Sequence, residues 1–140
     1  MKILVAVDGS DYTKRLLAWL ATHDELLAKE VSYTFIAVVP PLPPIATHHI
    51  EPSSIDGHYT DTAKAVLDPV AEFARRHGWR FDTRAPVGRA GNEIAKAATG
   101  DRYDLVAMGS HGHSAVGSLV MGSVTQQVLA SCRVPVLIVR

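Results

Sequence analysis

The sequence predicts an α/β fold with a five-stranded parallel open sheet, strand order 3-2-1-4-5, sandwiched by four helices. Apolar segments of strand length alternate along the chain with segments whose apolar residues recur at helical spacing. Parallel neighbours need crossover connections, and these are right-handed, so the alternation predicts helices on both faces of the sheet. With 140 residues the chain can bury one hydrophobic core, and we expect a single domain over residues 1–140.

The first half of the chain holds two predicted strands. Lys2–Val7 is an apolar run that suits a strand buried on both faces, and the apolar residues after Tyr12 recur at helical spacing. Val31–Val39 is rich in β-branched and aromatic residues, which favours a second strand. The prolines that follow support neither a helix interior nor a strand ladder, so Pro40–His58 is predicted to be a long surface loop. This loop could be a mobile insertion or a lid over a binding site.

The second half continues the alternation. A helix follows the loop, and Pro69 predicts a kink or a restart within it. Gly78 is expected to cap that helix in the left-handed conformation. The remaining predicted elements are strands at Trp79–Val87 (at or near an edge), Asp104–Met108 and Val134–Val139, and helices at Asn92–Ala98 and Ser123–Ser131.

Composition narrows the class of protein. Lys and Arg together number 14, as do Asp and Glu, so the chain has no net charge and no electrostatic footprint for nucleic acid or an anionic membrane. Its apolar runs are too short to span a bilayer, and no signal peptide is visible. The single cysteine, Cys132, excludes an intrachain disulfide and a multi-cysteine metal site. We therefore expect a soluble cytoplasmic protein.

Two segments lie where a ligand would be expected. Ligands of open, Rossmann-like sheets bind beyond the carboxyl ends of the strands, where the winding direction reverses. In the predicted order this point lies between the first and fourth strands, which are followed by Asp8–Ser10 and Gly109–Ser123. The second segment combines glycines with hydroxyl residues and leads into a helix, so amides, hydroxyls and the helix N-terminus could hold a phosphate. It contains no Lys or Arg and lacks P-loop spacing. A plain flexible loop before a serine-capped helix is the alternative.

The spacing Gly109-x2-Gly112-x9-Gly122-Ser123 resembles the G-x2-G-x9-G-[ST] nucleotide motif of the universal stress protein family. The strand before this motif, the helix and strand after it, and the N-terminal strand and turn at Ile3–Ser10 are similar to the same family. The resemblance covers essentially the whole chain. It implies an adenine-nucleotide-binding member of that family.

The resemblance also implies which residues form the site. By position, those near adenine and ribose would be Ala6, Val7, Asp8, Val38, Met108 and Gly109, and those around the phosphates would be His111, Gly112, Gly122, Ser123, Val124 and Thr125. The backbone of Val38 would face the edge of the adenine. Judged by the residues alone, Val38 and Met108 could instead belong to the core, and Asp8 could be a helix cap.

Two positions depart from the family pattern. Gly88–Ile94 is similar to the family, but Ala90 stands where the family usually has Pro. His111 stands where many members have Arg, and His113 follows two residues later. Neutral imidazole binds phosphate less strongly than guanidinium does, and its charge depends on pH. We therefore predict that nucleotide affinity strengthens below about pH 6.5, where an unperturbed histidine protonates.

The implied function is a nucleotide-dependent sensor or regulator in the stress response that binds ATP or AMP. Mg²⁺ would be carried by the phosphates, with Asp8 as a distant ligand. Phosphoryl transfer needs a cationic clamp and a group that orients water, so we expect weak hydrolysis or none. A slow or self-phosphorylating ATPase and a protein-interaction module without nucleotide are the alternatives.

Two further expectations concern metals and assembly. The clustered histidines, which are His48, His49, His58, His111 and His113, include no pair at the i,i+4 ligand spacing, so no structural metal site is expected. Val134–Val139 is an apolar terminal strand that would leave an open edge. The resemblance implies a homodimer that joins these strands, with an unidentified protein partner in addition.

Overall fold

The computed structural model describes residues 1–27, 30–47, 51–113 and 121–140. Its strands form a five-stranded parallel sheet in the order β3-β2-β1-β4-β5, which confirms the predicted fold class and strand order. The strands are β1 (Lys2–Ala6), β2 (Ser32–Ile36), β3 (Arg80–Arg84), β4 (Leu105–Gly109) and β5 (Val136–Val139). The helices are α1 (Asp11–Thr22), α2 (Pro44–Thr47), α3 (Pro52–Arg76), α4 (Ala90–Gly100) and α5 (Ser123–Ser131), with a 3₁₀ turn at Asp24–Leu26.

The central strand β1 separates two hydrophobic cores. Ile3, Leu4 and Val5 have no exposed surface. Ile3 and Val5 pack with apolar residues of α1 and α3, whereas Leu4 packs with those of α4 and α5. Successive side chains of a strand point to opposite faces, so a strand covered on both faces must be apolar throughout. This burial explains the continuous apolar run at the start of the sequence.

The connection between β2 and β3 differs from the prediction. A loop over Pro40–His58 is wrong, because α2 lies within that range and α3 already begins at Pro52. Pro52 is the first residue of α3, a position whose N–H has no partner within the helix, so proline starts this helix instead of excluding it. The Leu42 amide donates a hydrogen bond to Tyr59 Oη at 3.0 Å, which ties the start of the connection to α3. Residues 48–50 lie outside the described residues.

Of the two outcomes predicted at Pro69, a kink or a restart, the restart is wrong, since α3 is a single helix that contains Pro69. Proline removes one helical N–H, which would otherwise bond to the carbonyl four residues earlier. Both Pro69 and Ala65 are exposed, so water can bond to the carbonyl that is left over. Gly78 follows the end of α3 with φ +65°, and this confirms the predicted left-handed cap.

Several strands are shorter than their sequence patterns. The β2 ladder ends at Ile36, and Val39 forms only an isolated bridge with Val87. β5 begins at Val136 and not at Val134. By contrast, α5 has the predicted bounds, and β3 is an edge strand as expected. None of the helices in the described part of the chain is long and apolar enough to cross a membrane.

The register of β1 and β4 brings two loops together. Ala6 pairs with Met108 at the carboxyl ends of these strands. The turn from β1 into α1 and the glycine-rich loop after β4 therefore leave the sheet side by side. The helices that follow them lie on opposite faces, so a crevice opens between the two loops.

Candidate functional site

A cavity of about 310 Å³ lies in this crevice. All of the site residues predicted from the sequence line it: Ala6, Val7, Asp8, Val38, Met108, Gly109, His111, Gly112, Gly122, Ser123, Val124 and Thr125. The lining also includes residues that the prediction left out, which are Thr13, Ile36, Ala90, Ile94 and His113. The structure therefore brings the predicted residues to one place, from segments of the chain as far apart as Ala6 and Thr125.

The β1–α1 turn orients the Asp8 carboxylate. Asp8 Oδ1 accepts hydrogen bonds from the Ser10 amide and from Thr13 Oγ1, both at 2.9 Å. Thr13 Oγ1 in turn accepts a hydrogen bond from the Asp8 amide at 3.0 Å. Gly9 allows this turn because it adopts φ +78°, which residues with a Cβ rarely adopt. One carboxylate oxygen is thus committed to the turn, as a cap would be, while Oδ2 faces the glycine-rich loop.

Gly112 leaves room for that second oxygen. A Cβ at Gly112 would lie 2.5 Å from Asp8 Oδ2, well inside van der Waals contact. The carboxylate and the loop backbone can therefore approach each other only because residue 112 has no side chain. This close approach gives the cavity a wall of backbone and carboxylate oxygen where a ligand hydroxyl could be bound.

The two ends of the glycine-rich loop are joined at the start of α5. The Gly122 amide donates to the Ser110 carbonyl at 2.8 Å. Thr125 Oγ1 lies 3.1 Å from the Gly109 carbonyl and 3.3 Å from the Ser110 carbonyl, and Thr125 is only 2% exposed. Thr125 therefore satisfies carbonyls at the end of β4 and fixes the first turn of α5 beside the cavity. The first amides of a helix have no partner within it, and they carry partial positive charge.

The polar end of the cavity has few charges of its own. None of the described residues that line it is Lys or Arg, and its ionisable side chains are Asp8, His111 and His113. His111 Nδ1 lies 3.0 Å from Ser110 Oγ, and its ring centroid is 5.2 Å from that of Tyr12 in α1. A phosphate here would be held by amides, hydroxyls and imidazole.

Two cations, Lys14 and Arg15, lie in α1 next to Asp11 and Tyr12. The Arg15 guanidinium lies 5.2 Å from the centroid of the Tyr12 ring, on the helix that borders His111. A hydrogen bond from Lys14 and its charge, with the charges of Arg15 and His113, hold the pKa of Asp11 below its ordinary value. Lys14 is paired with Asp11 at 3.0 Å, so Arg15 is the cation of this part of α1 whose charge is not balanced within the same turn.

The opposite end of the cavity is apolar. Ile36, Ile94 and Met108 are at most 4% exposed, and Val38 and Ala90 complete the wall. Sequence reasoning missed Ile36 and Ile94 because buried apolar residues in a strand and a helix look like ordinary core. Ala90 was visible only as a departure from the family pattern, and His113 only as a neighbour of His111.

A second cavity, of about 590 Å³, lies beside α4 and shares Ile36 with the first. Its lining includes Arg84, Glu93, Lys96 and Asp101. Arg84 and Asp101 already form an ion pair, so their charges largely neutralise each other. This cavity is larger, but it holds none of the predicted site residues and lies away from the switch point.

Metal-binding side chains are not clustered in the described part of the chain, where no group of three or more His, Cys, Asp or Glu is placed to hold an ion. His48 and His49 lie outside the described residues. A metal at this site would therefore need most of its ligands from the bound molecule.

Comparison with known proteins shows the family and the fold of this chain. Residues 1–140 match the family described as "Universal stress protein family". The "Universal stress protein in QAH/OAS sulfhydrylase 3'region" of Thermus aquaticus is 33% identical over 138 residues, which are 99% of this chain and 97% of that protein. The structure of MJ0577, a universal stress protein of Methanocaldococcus jannaschii, has a TM-score of 0.81 at 25% identity and covers 99% of this chain and 94% of its own. A universal stress protein of Archaeoglobus fulgidus in complex with dAMP has a TM-score of 0.70 at 21% identity, with 100% and 98% covered.

Proposed function

The chain belongs to the universal stress protein family, and on that premise we propose that residues 1–140 form one domain that binds ATP or AMP in the cavity between β1 and β4. The observation that carries this proposal is a single cavity with an apolar end and a polar end. An adenine nucleotide has the same division, a flat base at one end and phosphates at the other. The volume of about 310 Å³ lies at the lower limit for small-molecule sites.

Each part of the nucleotide has a matching part of the wall. The base would lie among Ile36, Val38, Ala90 and Ile94, with the Val38 backbone at its edge. Asp8 Oδ2 would accept a hydrogen bond from a ribose hydroxyl, because the turn already holds the carboxylate in place. The phosphates would lie against the loop after β4 and the first amides of α5.

Mg²⁺ would arrive with the phosphates. The described residues form no metal site of their own, and Asp8 is the acidic residue that lines the cavity. Phosphate oxygens and water would supply most ligands, as is usual for Mg²⁺.

We expect a sensor or regulator of the stress response in the cytoplasm, with weak turnover or none. Hydrolysis requires a cationic clamp and a group that positions water, and no Lys or Arg is among the described residues that line the cavity. The site can therefore bind a nucleotide without a clear means of cleaving it. A slow ATPase and an interaction module without nucleotide are the competing functions.

Calorimetric titration of nucleotide-stripped protein with Mg²⁺ and ATP tests the proposal, with GTP as the comparison. We expect saturable ATP binding near one site per chain and weaker GTP binding. Binding followed by release of phosphate would favour the slow ATPase. Absence of binding at millimolar ATP would contradict the proposal and favour the interaction module.

We further propose a homodimer through the terminal strand predicted at Val134–Val139. The Pro135 and Val139 carbonyls accept hydrogen bonds from the amides of Val106 in β4 and of Ser110 just after it. The N–H and C=O groups of Val136 and Ile138 therefore point toward the open edge. Such an edge can pair with a second copy. Sedimentation at micromolar concentration should show a dimer, and Ile138→Pro should make it monomeric because it removes an outward-facing N–H. A wild-type monomer would contradict the proposal.

A further inference from the structure

A hydrogen bond links the glycine-rich loop to the β1–α1 turn across the polar end of the cavity. His113 Nε2 lies 2.7 Å from the carbonyl oxygen of Asp8, a residue 105 positions earlier in the chain. A carbonyl can only accept, so Nε2 must carry the proton in this arrangement. We call this contact the His113 clasp.

The clasp lies next to the groups that define the polar end. Gly112 precedes His113, and its backbone lies against Asp8 Oδ2. The clasp therefore holds the backbone of Asp8 at the same place where its carboxylate faces the loop. His113 itself is exposed, so this contact does not serve to fill a core.

We propose that His113 is a positioning residue whose clasp sets the distance between the glycine-rich loop and Asp8, and so slows the release of a bound nucleotide. This inference rests on the proposed function. With the clasp closed, the ribose hydroxyls and the phosphates meet walls that are already in place, and little ordering is required on binding. Without it, each loop must be ordered by the ligand, and this cost weakens binding.

The charge of the imidazole does not decide whether the clasp forms. Nε2 can donate from the neutral ring with its proton on Nε2 and from the doubly protonated ring alike. Asp11 in α1 interacts electrostatically with His113, as it does with Lys14 and Arg15, and Asp8 and His111 line the same cavity. The His113 clasp therefore acts through the position of its hydrogen bond, whereas the effect expected at His111 comes from the charge of the ring.

Two substitutions of His113 distinguish the effect of its hydrogen bond from the effect of its ring. Gln places an amide N–H near the position of Nε2, whereas Leu fills similar space without a donor. We expect His113→Leu to raise the dissociation rate of a fluorescent ATP analogue about tenfold and His113→Gln to stay within about twofold of wild type. His58→Leu, on the exposed surface of α3, is the matched control and should change nothing.

Two results would overturn the inference. Wild-type dissociation rates in His113→Leu would show that the contact does not slow release. Equal acceleration in the Leu and Gln variants would mean that the ring itself, and not its N–H, is what matters.

The clasp can also be tested without nucleotide, so its failure is distinguishable from failure of the proposed function. Nitrogen NMR of the free wild-type protein should show a proton on His113 Nε2 that is protected from exchange. The amides of residues 8–13 should exchange faster in His113→Leu than in His113→Gln. An unprotected Nε2 in a protein that binds ATP would refute the clasp alone, whereas a protected Nε2 in a protein that binds none would refute the proposed function alone.

Discussion

The two ends of the cavity are built in different ways. At the apolar end, side chains from β2, α4 and β4 meet, and Ile36, Ile94 and Met108 are almost fully buried. At the polar end, two loops face each other through backbone groups and a few side chains, among them Asp8, His113 and Thr125. The first end is part of a hydrophobic core, while the second depends on two loops being held at one spacing.

This difference indicates how each end would contribute to binding. Apolar contact scales with area, so a change of shape there should reduce affinity gradually. Hydrogen bonding and close backbone approach depend on the exact positions of atoms, so a single added atom at the polar end should reduce affinity strongly. A substitution at one end of the cavity should therefore weaken binding of the ligand fragment that lies at that end, and leave binding of the other fragment unchanged.

Gly112→Ala should have the largest effect. Its Cβ would lie 2.5 Å from Asp8 Oδ2, so either the carboxylate or the loop must move. The backbone of Gly112 is outside the left-handed region, so the effect comes from the occupied space. We expect ATP affinity in calorimetry to fall about 100-fold, or about 2.7 kcal/mol.

Gly57→Ala is the control for this substitution. Gly57 lies in α3, and a Cβ there would meet nothing within 4 Å. Affinity should be unchanged and the protein slightly more stable, since Ala favours helix. Equal ATP affinity in the two variants would show that the close approach of loop and carboxylate is not needed for binding.

Ala90→Leu should weaken binding about tenfold by filling the apolar end. Ala90 lines the cavity at the first turn of α4 and is only partly buried, so Leu can be accommodated by the fold. Calorimetry with fragments sharpens the test: affinity for adenosine should fall, while affinity for inorganic triphosphate should not. Ala65→Leu on the exposed face of α3 is the control, and equal losses for both fragments would contradict a divided cavity.

The same division explains what could be predicted from the sequence. Gly112, Gly122, Ser123 and Asp8 could be assigned because their spacing resembles the family motif, whereas composition alone left a plain loop and a helix cap as alternatives. Ile36 and Ile94 could not be distinguished from core residues, because apolar periodicity records burial and not what the residue is buried against. Thr13 was missed because it lies within α1 and acts on Asp8 through its hydroxyl.

The fold shows a similar limit. The parallel sheet with helices on both faces follows from the alternation of elements, since parallel neighbours need right-handed crossovers. The extent of the loop after β2 could not be predicted from the sequence pattern, because proline disrupts the interior of a helix but is also favoured at its first position. Pro52 starts α3 and Pro69 lies on its exposed side, so local composition alone gave the wrong boundary.

Thr125→Val tests the connection at the start of α5 with a smaller effect. Valine keeps the shape of threonine but removes the hydroxyl that lies within hydrogen-bond distance of the Gly109 and Ser110 carbonyls. We expect the free energy of unfolding in urea to fall by about 1 kcal/mol. Thr62 is the control, because its hydroxyl donates to the His58 carbonyl in the same helix. Thr62→Val should change the free energy of unfolding by less than about 0.5 kcal/mol. An unchanged free energy of unfolding in Thr125→Val would show that this hydroxyl does not stabilise the polar end of the cavity.

The smallest expected effect concerns charge at the polar end. As pH falls from about 8 to about 5.5, histidine gains a proton, and a positive imidazole beside the phosphates should strengthen ATP binding. At about pH 5.5, the ATP affinity of His111→Ala should be about threefold lower than that of the wild type. Affinity for adenosine should show no such pH dependence in either protein. Adenosine controls for protonation elsewhere in the protein, and the comparison of the two proteins controls for protonation of the phosphates of ATP itself. If ATP affinity in His111→Ala follows the wild-type profile over the whole range, His111 does not act on the phosphates, and the attraction must come from other groups such as the first amides of α5.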